Sequence, residues 1–305
     1  MKFFSLKILT LNLVFLLACR PVSALCSSLS LSNVSPYVSL NMNNFASLNF
    51  QVNKEGGTCN SFFVVIDNGG AASFSNRNLQ SSLHTYPIQF YKDPGRNQIL
   101  KSEFEAAPSD VILGTFAGSA TTFNANYFAY LGVDDNQYAG SGNYSKNFTL
   151  KLYEGDFTNR ILRDSKVVQF TYTQYKTIDL SLVSTGSSFN LTDTSQSLDF
   201  GKLIEGASRS FDIVMLYNAG YTISMSSTNS GKLKNQSVKK YIPYILTLDG
   251  VPVALSDVST NVKSGGGISQ SNGTRIAVGV KIGSLMGSVP GTYTDTVTIN
   301  VASAE

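Results

Sequence analysis

Residues 291–301 read GTYTDTVTINV, and their side chains alternate: Val297, Ile299 and Val301 fall on one face, Thr296, Thr298 and Asn300 on the other. A period of two is that of a strand with one buried face. The chain stops four residues later, so this strand is expected to have a sequence neighbour on one side only. Residues 142–152, GNYSKNFTLKL, repeat its frame, Gly-x-Tyr-x-x-x-apolar-Thr-apolar-x-apolar, at an offset of 149 residues. Three further matches keep the same order: Leu48-Asn49-Phe50 with Leu198-Asp199-Phe200, Phe63-Val64-Val65-Ile66 with Phe211-Asp212-Ile213-Val214, and Tyr86-Pro87-Ile88 with Ile242-Pro243-Tyr244. Collinear matches of this kind predict a duplicated domain, with copies over residues 25–176 and 177–305.

The copies end differently. The first continues through the turn Glu154-Gly155-Asp156 into residues 165–173, SKVVQFTYT, where Val168, Phe170 and Tyr172 share a face. The second has no counterpart. The expected fold is all-β, two tandem immunoglobulin-like β-sandwich domains, the second lacking its last strand. An unpaired edge beside an open core is an aggregation hazard, so a partner is expected to lay a strand beside residues 291–301. The groove residues expected are Leu180 and Leu182, alternating along residues 178–182, together with Val297, Ile299 and Val301.

The remaining segments fit this frame. Short strands are expected at 48–52, 61–66, 88–91, 111–116 and 126–131 in the first copy, and at 209–217, 221–226, 242–248 and 274–282 in the second. Asn68-Gly69-Gly70, Asp93-Pro94-Gly95 and Asp249-Gly250 punctuate them as turns. Regular short strands with turn signals predict packed antiparallel sheets.

Residues 1–24 have the form of an export signal: Lys2 and Lys7, an apolar core at 8–18, and the small-residue site Val22-Ser23-Ala24. Leu16-Leu17-Ala18-Cys19 also fits a lipoprotein cleavage box, which would lipidate Cys19. Cleavage after Ala24 removes Cys19 and leaves an even pair, Cys26 and Cys59, expected to form a disulfide in an oxidising compartment. Net charge is +3, and Lys2, Lys7 and Arg20 all lie in that segment. The remainder is close to neutral, which argues against a nucleic-acid partner.

Chemistry-bearing constellations are sparse. His84, the single histidine, stands in a Ser-rich stretch with no nucleophile motif. Gly265-Gly266-Gly267 lacks the Lys-Ser/Thr of a phosphate loop. Asp134-Asp135-Asn136 lacks the spaced carboxylates of a calcium loop. No catalytic residue, metal site or cofactor is assigned. The six Asn-x-Ser/Thr sequons reflect a composition rich in Asn, Ser and Thr.

The second copy resembles the spore-coat-protein-U-like domain of archaic chaperone–usher pilus subunits. The resemblance is carried by Leu198-Asp199-Phe200-Gly201, Tyr221-Thr222-Ile223-Ser224-Met225-Ser226-Ser227, Gly231-Lys232-Leu233, Ile242-Pro243-Tyr244-Ile245-Leu246 and Pro290-Gly291-Thr292-Tyr293, about a third of the chain. It implies a periplasmic chaperone, an outer-membrane usher, an adjacent subunit joined by donor-strand exchange, and no enzymatic activity. Shaft subunits of that family carry an N-terminal donor segment. Cleavage after Ala24 would leave one residue before Cys26, so the expected place is the pilus tip at the cell surface, reached through the periplasm. The first copy would then attach to an unidentified surface or receptor, with Tyr138 in the loop 134–142 as a candidate contact. Two other roles fit the same residues: a non-adhesive minor pilus or spore-coat-like subunit, and a surface lipoprotein.

Overall fold

The computed structural model describes residues 26–41, 45–117, 120–133 and 139–304. The candidate export signal with Cys19, and Asp134, Asp135, Asn136 and Tyr138, lie outside the described residues.

The chain is built of strands. The first half contains β1 (Ser28–Ser32), β2 (Tyr37–Ser39), β3 (Phe45–Glu55), β4 (Ser61–Ile66), β5 (Asn78–Gln80), β6 (Thr85–Pro87), β7 (Gln89–Tyr91), β8 (Ile112–Thr115), β9 (Thr122–Gly132), β10 (Gly142–Gly155) and β11 (Arg160–Gln174). They form one sheet ordered β1-β3-β9-β7 and a second ordered β2-β11-β10-β4-β8, with the β5–β6 hairpin attached to β10. Every pairing is antiparallel except β2 on β11. Side chains alternate along each strand, so Leu48, Phe50 and Val52 of β3 meet Phe62, Val64 and Ile66 of β4 in one core between the sheets. That core is aromatic: Phe50, Phe62, Tyr86, Phe90, Tyr144, Phe148 and Phe170 are all fully buried.

The second half contains β12 (Ile178–Val183), β13 (Ser208–Tyr217), β14 (Tyr221–Ser227), β15 (Lys232–Asn235), β16 (Tyr241–Leu248), β17 (Val251–Val253), β18 (Thr260–Gly265), β19 (Thr274–Ile282), β20 (Tyr293–Thr294) and β21 (Val297–Ser303). One sheet runs β12-β13-β19-β16-β15-β20, with β17 beside β16; the other runs β18-β14-β21. Phe211, Ile213 and Met215 of β13 pack on Ile223 and Met225 of β14 in a separate, smaller core. The β16–β17 hairpin turns at Asp249 (φ 47°) and Gly250 (φ 81°), two successive positive φ angles of the kind tight hairpins need.

The two halves repeat one strand order. β1-β3-β9-β7 corresponds to β12-β13-β19-β16, and β10-β4-β8 to β21-β14-β18. This corrects two of the sequence matches. Phe63-Val64-Val65-Ile66 lies on β4, whose counterpart is β14, whereas Phe211-Asp212-Ile213-Val214 lies on β13. Leu48-Asn49-Phe50 lies on β3, whereas Leu198-Asp199-Phe200 belongs to no strand. Short apolar runs recur in any sandwich strand, so they do not fix which strand is which. The Gly-x-Tyr frame does fix it: Gly142 opens β10 and Gly291 stands just before β20 and β21, with φ of 147° and 143°, a conformation that favours glycine.

Candidate strand-accepting edge

The first sandwich supplies the reference. β10 has a neighbour on each side, β4 and β11. Its inward residues Phe148, Leu150 and Leu152 are fully buried, as are Leu29 and Leu31 of β1. β11 seals this seam. Its Val168 and Phe170 enter the core, and the Phe170 ring stands edge-on to Phe90 at 5.1 Å and to Phe148 at 5.8 Å.

In the second sandwich β21 holds the place of β10, and it pairs with β14 alone: Val297 opposite Ser227, Ile299 opposite Met225, Val301 opposite Ile223. Among the described residues no strand lies on its other edge. Ile223 and Met225 are fully buried, whereas Val297, Ile299 and Val301 are only half-buried against the same core. Leu180 and Leu182 of β12 are half-buried against it too. Leu180, Leu182, Val297, Ile299 and Val301 are thus all half-buried against the same core. β12 and β21 approach within 8 Å between Cα atoms, yet they belong to different sheets and share no ladder.

The two sides of the seam are unequal. The Leu182 N–H donates to the Asp193 carbonyl at 2.6 Å, and the Gln196 amide donates to the Leu182 carbonyl at 2.8 Å. The backbone of β12 is thus engaged at this end by residues 193–196. The open hydrogen-bonding edge belongs to β21, where alternate N–H and C=O groups face outward. No strand pattern in residues 190–196 announces this contact.

Asp295 fixes where β21 starts. The residues before it, β20, pair with β15, and those after it pair with β14, so the chain changes sheets here. The Asp295 carboxylate accepts hydrogen bonds from the Ser227 hydroxyl and the Tyr244 hydroxyl, both at 2.6 Å, and from the Asn229 N–H at 3.0 Å. Burial, reinforced by the Asp295 charge, pushes the Tyr244 hydroxyl up from its ordinary pKa. The sequence carries a trace of this corner: Asp295 has the parity of Val297, Ile299 and Val301, and an acid on an inward face requires partners.

Elsewhere, Cys26 and Cys59 form a disulfide with Cα atoms 5.0 Å apart. It joins the start of β1 to the segment entering β4, and so links the two sheets of the first sandwich. Glu154 supports it: its carboxylate accepts the Cys26 N–H at 2.9 Å and pairs with Arg163, which donates to the Cys26 carbonyl at 3.1 Å. The oxidised sulfurs are not metal ligands, although they lie beside that carboxylate. His84 sits in the β5–β6 turn, packed on Gly140. No helix among the described residues is long and apolar enough to cross a membrane.

No family model and no curated protein matches the chain. Solved structures do. A chain of the CsuC–CsuE chaperone–tip adhesion subunit pre-assembly complex from archaic Csu pili of Acinetobacter baumannii matches at 14% identity, over 92% of this chain and 90% of that one, with a TM-score of 0.37. The CFA/I adhesin CfaE of enterotoxigenic E. coli matches at 10% identity over 93% and 81%, TM-score 0.38. The CupB6 tip adhesin of Pseudomonas aeruginosa matches at 12% identity over 91% and 93%, TM-score 0.35.

Proposed function

We propose that this chain is a tip adhesin of a chaperone–usher pilus, in which the second sandwich accepts a strand from the adjacent subunit and the first makes attachment. One observation carries the reading. The same seam is closed by β11 in the first sandwich and is flanked in the second by a free β21 edge and five half-buried apolar side chains. A strand laid antiparallel on β21 would occupy the place that β11 takes on β10. It would complete the hydrogen-bonding edge and send alternate apolar side chains toward Leu180, Leu182 and Ile299. Before assembly a periplasmic chaperone would cover the seam, and an outer-membrane usher would pass the chain to the cell surface after removal of residues 1–24. The family resemblance of the second copy supports these partners. The receptor belongs to the first sandwich.

The test is Ile299→Asp. A carboxylate in this apolar seam is costly without a partner. The variant is expected to stay out of pili and to lose capture by the chaperone, while Thr298→Asp, on the exposed face of the same strand, assembles normally. Normal incorporation of Ile299→Asp would refute strand acceptance at this edge.

A further inference from the structure

The outer face of the β1-β3-β9-β7 sheet has an unusual chemistry. One half is a ladder of amides and hydroxyls. Asn124 donates to Asn53, Asn53 to Ser32, and Ser32 to Gln51, while the Gln51 amide reaches Asn126. The other half is aromatic: Tyr130 stacks between Phe45 at 5.7 Å and Phe128 at 6.3 Å. Charge stands at the ends of this array and, through Lys92, at the cleft beside it. Glu55 lies at one end, paired with Thr122. Arg96 lies at the other, where a Cβ added to Gly132 would strike its side chain and its guanidinium donates to the Val133 carbonyl.

Beside the aromatic half, between β8 and β9, opens a cleft of about 420 Å³ lined by Leu113, Asn126, Phe128 and Tyr130. Leu113 is 55% exposed and Phe128 46%. Lys92 also borders it, with its ammonium donating to the Ser109 carbonyl at 2.6 Å. Apolar side chains beside a few polar groups in a cleft are the make-up of a ligand site.

We propose that this face and its cleft bind an uncharged glycan, an inference that rests on the reading that the first sandwich makes attachment. Sugar rings offer hydroxyls at their rims and C–H groups on their faces. Amides donate and accept toward hydroxyls, and Phe128 and Tyr130 offer flat apolar platforms. The ladder fixes the amide orientations in advance, so little side-chain freedom is lost on binding. A sulfated or carboxylated glycan would lose hydration on the ladder without meeting a cation there.

The test uses the full chain on immobilised mannan, galactan, xylan and β-glucan, with heparin as the charged and polystyrene as the apolar surface. Retention is expected on at least one neutral polysaccharide, unchanged by about 1 M salt, where charge contacts are screened. Phe128→Ala and Asn126→Ala, checked for unaltered circular dichroism, are each expected to weaken it about tenfold. Phe104→Ala, an exposed ring beside Glu103 over the other sheet, should leave it unchanged. Retention on heparin or polystyrene alone would overturn the proposal. Attachment that survives in both face variants would overturn it as well, and would leave attachment by the first sandwich standing.

Discussion

Phe170→Ala should open in the first sandwich the seam that lies open in the second. The ring is 1% exposed and touches two other aromatic rings edge-on. Truncating such a side chain removes its transfer energy and leaves a cavity, a loss of about 3–5 kcal/mol. A domain of this size has about 5–15 kcal/mol to lose. With a urea dependence of about 2–3 kcal/mol per molar, the first-sandwich midpoint should fall by about 1–2 M. Ile299→Ala is the matched truncation across the open seam. Its side chain is already half in water, so it should cost only about 1 kcal/mol in the uncomplemented chain. Urea unfolding followed by circular dichroism reads both. A Phe170→Ala midpoint within about 0.3 M of the parent, or two variants of equal cost, would refute the claim that β11 seals one seam and nothing seals the other.

Replacing Cys26 and Cys59 together by Ala releases a constraint spanning 33 residues, worth about 3–4 kcal/mol on the chain-entropy model. Calorimetry should place the loss in the first sandwich, at about 2–4 °C per kcal/mol; an unchanged transition would contradict it. Burial, reinforced by the negative charge of Glu103, holds the Tyr153 hydroxyl at about 12, above the ordinary value of about 10. The unfolded chain therefore releases this proton first. Its contribution to stability is complete below about pH 10 and is lost as pH rises through about 12. Urea midpoints measured across that range should fall less steeply in Tyr153→Phe, and identical slopes would rule the effect out.

Alternation made much of this molecule readable. Residues 61–66 and 274–282 alternate or run apolar between turn signals, and the strands there have those bounds. Parity likewise put Val297, Ile299 and Val301 on one face, and that face is the one packed against the second core. What escaped was set by contacts distant in sequence. Arg77 is buried in the first sandwich, its guanidinium donating to the carbonyls of Ile66 at 2.8 Å and Leu100 at 2.6 Å. Lys54 is buried with its ammonium 2.8 Å from the Ala120 carbonyl and over the Phe116 ring. Neither has a local pattern, since the acceptors lie far away in sequence, at the end of β4 and in the segments around Leu100 and Ala120. β18 escaped because its glycine-ended sequence, TNVKSG, reads as a loop until β14 supplies a ladder. The engagement of Leu182 by Asp193 and Gln196 escaped likewise. It narrows the candidate accepting edge to β21.

The central claim is that the second sandwich lacks a strand that a partner supplies. The direct measurement joins a ten-residue strand with alternating apolar side chains after Glu305, through a flexible linker long enough to return along β21, and compares thermal unfolding with the unfused chain. Burying three or four such side chains contributes about 1.5–3 kcal/mol each before ordering costs. The fusion is therefore expected to raise the second-sandwich transition by 10 °C or more, taking about 2–4 °C per kcal/mol. Placing Asp at the inward positions of the added strand should abolish the gain. A fusion no more stable than the parent chain, or one equally stabilised by the Asp-bearing strand, would contradict the account.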